Sequence, residues 1–259
     1  MARHQAEAIL LSVMDLQEAD RVVEFLTREQ GKRRGVARGA KRRYSRFAGE
    51  MQPLAKARVD WFEKEGRDLV RVASIELVRA PKALVADLES ILLGAYLAEQ
   101  MSVFAQEGEP SEAYFRLLDS TLEALEAGAD RELAARYFEC WTLRLAGLFP
   151  APTECTECGE ALESGAVLAA SGEALLCPRC GGPRAKAVSA GAFDFLRRIS
   201  RENLARMAER APAPGALAEV EEIAGRVRRH FLQHELKSYQ VLGRTLARLQ
   251  GDGIGTRER

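Results

Sequence analysis

Leu54 to Val78 reads LAKARVDWFEKEGRDLVRVASIELV, and the way this stretch folds decides the architecture. In its second arm, Asp68 to Val78, the apolar residues Leu69, Val70, Val72 and Ile75 are set against Arg71, Ser74 and Glu76. That is the pattern of a strand with one buried face. Leu54 to Lys64 supplies a first arm, and Glu65, Gly66 and Arg67 between them are turn-like, so the stretch predicts a hairpin. Trp61 is expected in the core under it. Upstream, residues 6 to 14 (AEAILLSVM) and 21 to 27 (RVVEFLT) are short and rich in large or β-branched apolar side chains, with the polar LQEAD between them. Both read as strands. A third candidate is GKRRGVARG at 31 to 39, in which only Val36 and Ala37 want burial. Five strands in so short a segment leave no room for crossover helices and predict a small antiparallel β-barrel, a form that often binds single strands across one face.

Between the third strand and the hairpin lies a concentrated positive charge. The run from Gly31 to Phe47, GKRRGVARGAKRRYSRF, holds Lys32, Arg33, Arg34, Arg38, Lys41, Arg42, Arg43 and Arg46 and no acid. The chain as a whole is balanced, with 38 basic and 38 acidic residues, so this is a local excess and a polyanion is its natural partner. Each cation set against a phosphate releases condensed counterions, which gives affinity without reading a base. Tyr44 and Phe47 lie among the cations, where aromatic faces suit stacking of unpaired bases. A solvated charge run is the plain alternative. Against it stand the absence of interleaved acids and the regular Gly31, Gly35 and Gly39, which imply an ordered, closely approached backbone.

From Pro81 onward the period changes. Leu88, Ile91, Leu92, Ala95 and Tyr96 fall at helical spacing. Ser111 is a candidate N-cap for a helix closing at Gly128, and Asp130 opens another whose inner face would hold Leu133, Tyr137, Phe138, Trp141, Leu145 and Leu148. Cys140 within it reads as a buried, unactivated thiol. Pro150 and Pro152 would end that helix. Cys155 and Cys158 then form one CxxC, Cys177 and Cys180 a second, with eighteen residues between the pairs. Glycines follow each pair, Gly159 after the first and Gly181 and Gly182 after the second. This is the spacing of a four-thiolate zinc ribbon. A closed site of four thiolates has no open position for water, so one Zn2+ per chain is expected in a structural role. Helices resume after Ser189, with a linker ARMAERAPAPGA, a longer helix from about Leu217 to Leu236, and a last one carrying Val241 to Leu249.

The fold class expected is therefore α+β, an N-terminal barrel over residues 1–80 followed by a helical domain over 81–251 that is interrupted by a zinc ribbon at 152–184, with a frayed tail at 252–259. No apolar run is long enough to cross a bilayer and the N-terminus lacks the form of a secretory signal, so a cytoplasmic location is expected. His230 and His234 stand four apart, but HFLQHE lacks the HExxH order, and no Walker-type phosphate loop occurs. No catalytic constellation emerges, and the expectation is a protein that is not an enzyme.

The run FLTREQGKRRGVARGAKRRYSRFAGEMQPL, residues 25–54, resembles the N-terminal signature of the bacterial recombination mediator RecO family, in which a strand ending in T-x-x-x-G leads to an ARGAR-like element and a QP-type strand. The later order of helices, proline, CxxC, second CxxC and more helices is also similar, so the resemblance covers nearly the whole chain. Where members often have an aromatic after QP, this chain has Leu54, which raises Trp61 or Phe62 as a substitute for stacking. The resemblance implies an oligonucleotide-binding (OB) barrel, a helical domain and a zinc ribbon. It also implies binding and annealing of single- and double-stranded DNA, partnership with RecR, and docking of the tail of single-stranded-DNA-binding protein during RecA loading, all at the nucleoid. On it, Arg38, Lys41, Arg42, Arg43 and Arg46 match the DNA-binding positions, and Cys155, Cys158, Cys177 and Cys180 the zinc ligands. Arg226, Arg228, Arg229 and Lys237 are candidates for the tail's pocket. An RNA-binding zinc-ribbon factor of the transcription or translation machinery is the alternative, and a metal-dependent nuclease a third.

Overall fold

The computed structural model describes residues 2–47, 51–149, 152–163, 165–170, 172 and 174–252. The chain is of mixed α+β class and divides into two compact bodies, one of Met1–Glu126 with Leu236–Arg259 and one of Ala127–Glu235. The 253–259 part of the expected tail and Pro150 lie outside the described residues.

Five strands open the first body: β1 (Ala2–Leu16), β2 (Asp20–Thr27), β3 (Lys32–Ala37), β4 (Lys56–Glu63) and β5 (Val70–Arg79). They pair in the order β1-β2-β3-β5-β4, and β4 returns to β1 to close a barrel. The hairpin read from the sequence is the β4–β5 pair, with Val59 opposite Ile75 and Gly66 taking the positive φ of its turn. β1 closes the ring because it is long. Its C-terminal part pairs β2 from Ala8↔Thr27 to Leu16↔Asp20, and its N-terminal part pairs β4 from Ala2↔Glu63 to Ile9↔Lys56. Residues 2 to 5 are held by backbone pairing while most of their side chains face water, so no apolar alternation announces them.

The barrel is antiparallel, as expected, except at one seam. β3 and β5 run parallel, with Gly35 opposite Val70 and Val36 opposite Arg71. A ring with an odd number of strands cannot alternate direction all the way round, so one parallel pair is unavoidable. Gly35 lets the two strands approach there: a Cβ on it would stand 2.7 Å from Val72 Cγ2 and 2.8 Å from Val70 Cγ2. In the barrel core Trp61 is fully buried, as expected, with Phe25 tilted against it at 5.3 Å between ring centroids and His4 stacked at 5.5 Å.

A 3-10 turn at Lys82–Val85 leads to α1 (Leu88–Phe104) and α2 (Glu112–Glu126), and α7 (Lys237–Asp252) joins the same body. Asp87 caps α1 by accepting from the Ser90 amide at 2.9 Å. Glu99 of α1 accepts the first free amides of α7, from Lys237 at 3.1 Å and Ser238 at 2.8 Å. Ion pairs fasten α2 to the barrel: Asp119 takes Arg79 at 2.5 Å and Lys56 at 2.9 Å, and Glu123 takes Arg79 at 2.6 Å. Burial opposes the charge on Arg79, and these two carboxylates more than offset it.

In the second body α3 (Arg131–Leu145), capped by Asp130 at 2.8 Å from the Leu133 amide, is buried on nearly every side. Leu133, Tyr137 and Phe138 of the expected inner face are in the core, and α3 buries an ion network as well, Arg136 with Glu139 at 2.8 Å and with Glu221 at 2.5 Å. Three two-residue strands follow, β6 (Val167–Leu168), β7 (Leu175–Leu176) and β8 (Lys186–Ala187), in the order β7-β6-β8. Then come α4 (Ala190–Arg198), α5 (Leu204–Ala208) and α6 (Ala216–Leu232). α5 lies where a linker was expected; Asn203 caps it, accepting from the Arg206 amide at 2.9 Å, and Met207 anchors it in the interior. α6 stops short of Leu236 because Gln233 turns left-handed at φ 60°. That turn also breaks the helical spacing between His230 and His234. Among the described residues no helix is long and apolar enough to cross a membrane.

Candidate nucleic-acid interface and metal centre

The basic stretch divides into a strand and a loop. Lys32, Arg33 and Arg34 sit on β3, and Arg38 to Phe47 form the loop after it. Although irregular, the loop is pinned. The Gly39 amide donates to Asp20 Oδ1 at 2.8 Å, the Lys41 amide to the Ala19 carbonyl at 3.0 Å, and the Ser45 amide to the Arg42 carbonyl at 3.0 Å. Each regularly spaced glycine has its own reason. Gly39 has φ +71° and Gly31 φ +61°, with room for a Cβ on Gly31 closed by the Glu109 carbonyl oxygen at 1.9 Å. Gly35 admits β5, as described above.

The eight cations are not equivalent. Lys32 donates to the Ser102 carbonyl and stands 3.8 Å from Glu24. Arg33 pairs with Glu63 at 3.5 Å. Lys41 pairs with Asp15 at 2.9 Å, and that hydrogen bond is the main reason the Asp15 carboxyl titrates below the ordinary range. Arg34, Arg38, Arg42, Arg43 and Arg46 are exposed and make no ion pair with the described residues. Two of them lie over rings, Arg43 over Tyr44 at 5.5 Å and Arg46 over Phe47 at 4.9 Å. The two aromatics part company: Tyr44 is 89 % exposed, whereas Phe47 is 1 % exposed and belongs to the barrel core. Of the two, Tyr44 is available to a base, and the stacking expected of Phe47 is ruled out by its burial.

Beside Arg38 a cleft of about 380 Å³ opens, lined among others by Val36, Arg67, Asp68, Leu69 and Arg71. In the sequence Arg67 reads as a turn residue and Arg71 as the polar half of a strand. Only the parallel closure of β5 on β3 brings them next to Arg38.

The four cysteines converge in the second body. Their sulfur atoms all lie within 4.8 Å of one another, and Cys158 and Cys177 are 3.8 Å apart. A tetrahedron with metal–sulfur bonds of about 2.3 Å has edges of about 3.8 Å, so the spacing fits a four-thiolate ion. Two similar turns hold them. The Gly159 amide donates to the Cys155 carbonyl at 2.8 Å, and the Cys180 and Gly181 amides to the Cys177 carbonyl at 3.1 and 3.0 Å. Burial opposes charge on Cys155, but backbone amides of Cys177, Cys158 and Glu157 draw its thiol down to about 6. Hydrogen bonds with Cys158 and Cys177 push Cys180 up to about 12. Four sulfurs held this close cannot all carry charge without a cation between them to share it. Cys140, by contrast, is buried away from the cluster, and burial pushes its thiol well up.

Of the basic candidates for a tail-binding pocket, the three on α6 are each engaged by an acid. Arg228 is 1 % exposed and is held by Glu235 at 2.8 Å, Arg229 pairs with Glu235 at 3.1 Å, and Arg226 with Glu222 at 3.7 Å. The expected role for Arg228 gives way to its burial. Lys237 opens α7 and is exposed.

Two family descriptions match the chain, "Recombination protein O N terminal" over residues 1–81 and "Recombination protein O C terminal" over residues 85–240. Among similar proteins, the DNA repair protein RecO of Anaeromyxobacter dehalogenans is 35 % identical over 245 residues, 93 % of this chain and 96 % of that protein. That of Geobacter metallireducens is 37 % identical over 196 residues, 73 % and 79 % respectively, and that of Pelotomaculum thermopropionicum 31 % over 253 residues, 94 % and 95 %. Matched by both family descriptions over residues 1–81 and 85–240 and by these relatives over most of its length, the chain belongs to the RecO family of DNA repair and recombination proteins.

Proposed function

We propose that this chain is a non-enzymatic recombination mediator that binds single- and double-stranded DNA and anneals complementary strands. With RecR, it helps load RecA onto DNA coated by single-stranded-DNA-binding protein, whose C-terminal tail it also contacts. The observation that carries the reading is the pinned loop after β3, which holds Arg38, Arg42, Arg43 and Arg46 in solvent without acidic partners among the described residues. Two phosphate backbones repel each other, and a cationic surface shared between them lowers that barrier. In this reading the barrel of residues 1–80 is the DNA-binding domain, and the chain from 81 to 251 supplies the helical domain. Arg34 and the four loop arginines make the phosphate contacts, while Lys32, Arg33 and Lys41 chiefly shape the surface. Cys155, Cys158, Cys177 and Cys180 hold one structural Zn2+ in the ribbon of residues 152–184.

A strand-annealing assay on strands coated with the cognate single-strand binding protein tests the reading. Reversing Arg38, Arg42, Arg43 and Arg46 to Glu should abolish annealing and weaken DNA binding, with the melting temperature unchanged because all four side chains are exposed. A variant that anneals normally at moderate salt would refute the assignment. So would tighter binding of the wild type to RNA than to single-stranded DNA of the same sequence, since discrimination at the 2′-OH would place it with RNA-binding factors.

A further inference from the structure

The cleft beside Arg38 has a character that the basic loop lacks. The parallel seam between β3 and β5 consists of only two residue pairs, Gly35 with Val70 and Val36 with Arg71. The strands leave it at opposite ends, β3 running on into the loop at Arg38 and β5 arriving from the turn at Gly66 to Leu69, and a cleft lined from both ends opens over it. The space left, about 380 Å³, falls within the roughly 300–1,000 Å³ of small-molecule sites. Its floor is apolar, formed by half-buried Val36 and by Leu69, which is 37 % exposed. Three guanidinium groups line it, Arg38, Arg67 and Arg71, all exposed and without an ion pair among the described residues. One acid, Asp68, lines it with them.

Each part argues for the same occupant. A site for phosphate alone would have no use for an apolar floor, and a carboxylate would oppose the anion. A nucleobase uses all three. Its flat face packs on Val36 and Leu69, the guanidinium planes of Arg67 and Arg71 stack on it, and Asp68 accepts a hydrogen bond from an exocyclic amine, as carboxylates do from cytosine N4. We infer that the β3–β5 cleft holds one unpaired nucleobase of a bound single strand and favours bases bearing an exocyclic amine over thymine. This rests on the DNA-binding reading above and deepens it. A duplex keeps its bases stacked and paired and cannot fill the cleft, so the site separates single from double strands where the loop arginines, reading phosphate, do not.

Fluorescence anisotropy with the full-length protein tests this, using oligo(dC), oligo(dT) and a mixed-sequence duplex as probes. The wild type should bind oligo(dC) about fivefold more tightly than oligo(dT), the discrimination expected of a single good contact to a base edge. Leu69→Ser, which removes floor and no charge, should weaken both single strands about fivefold to tenfold, at the low end of what base stacking contributes. It should leave duplex affinity and the salt dependence of binding unchanged. Asp68→Ala should bring oligo(dC) to the level of oligo(dT), with oligo(dT) binding no weaker than before. Melting temperatures of both variants should match the wild type, since both positions are exposed. Equal wild-type affinity for the two oligonucleotides, or a Leu69→Ser variant that binds single strands like the wild type or loses duplex equally, would overturn the base pocket while leaving the basic loop intact. A wild type that binds no DNA would overturn both.

Discussion

Tyr44 and Phe47 stand three residues apart in one loop and meet opposite environments. Phe47 drops into the barrel at 1 % exposure, while Tyr44 stands out at 89 % with Arg43 over its ring. Replacing Phe47 by alanine should therefore cost about 3–5 kcal/mol of stability, the usual loss for a buried aromatic, visible as a lower urea midpoint. Tyr44→Ala should leave that midpoint where it is and weaken single-strand binding about tenfold, if the ring stacks on a base. An unchanged affinity in Tyr44→Ala would remove stacking from its role. In the sequence the two aromatics look alike, because a loop has no period to say which side chain turns inward. The direction was legible for Trp61, where strand alternation applies. Arg228 shows the same limit from the other side. It occupies a helix rich in charge, and only the fold reveals that Glu235 and Glu139 have drawn it inside.

Among the elements, the ribbon is the one least able to stand by its own packing. Its three strands have two residues each, and Leu168 and Leu175 are among the few large apolar side chains it buries. Segments this small need a staple, and a structural zinc supplies on the order of 10 kcal/mol to such a unit. Stripping the metal with a strong chelator should release one Zn2+ per chain and speed amide hydrogen exchange across residues 152–188, with β1 to β5 as protected as before. Slow exchange in the ribbon after metal removal would mean that the cysteines do not hold it together; less than half an equivalent released would contradict the zinc assignment. The cysteine spacing and the glycines of both turns made this element readable without coordinates. The start of β1, the existence of α5 and the end of α6 were not, for separate reasons. β1 begins on backbone pairing without buried side chains, α5 depends on one Asn cap and one buried Met, and α6 ends where Gln233 accepts a left-handed turn that sequence alone assigns to glycine.

For the whole molecule the decisive quantity is how many cations remain for phosphate once the protein has used its own acids. The net charge is zero, so there is no broad positive field to draw DNA in, and attraction must come from the local patch. On single strands each phosphate contact contributes about −0.7 to the slope of log affinity against log salt, so eight contacts would give about −6. The barrel spends three of the eight on itself, Lys32 on Glu24 and Ser102, Arg33 on Glu63, and Lys41 on Asp15. The five that remain would give a slope of about −3.5. Binding measured across a salt series should fall on that line, and Arg42→Ala with Arg43→Ala should flatten it by about 1.4, two contacts' worth. Lys41→Ala should change it little, since its ammonium is already matched by Asp15. A wild-type slope near −6 would mean that DNA breaks those internal pairs on binding, and Lys41→Ala would then flatten it as much as any loop arginine does.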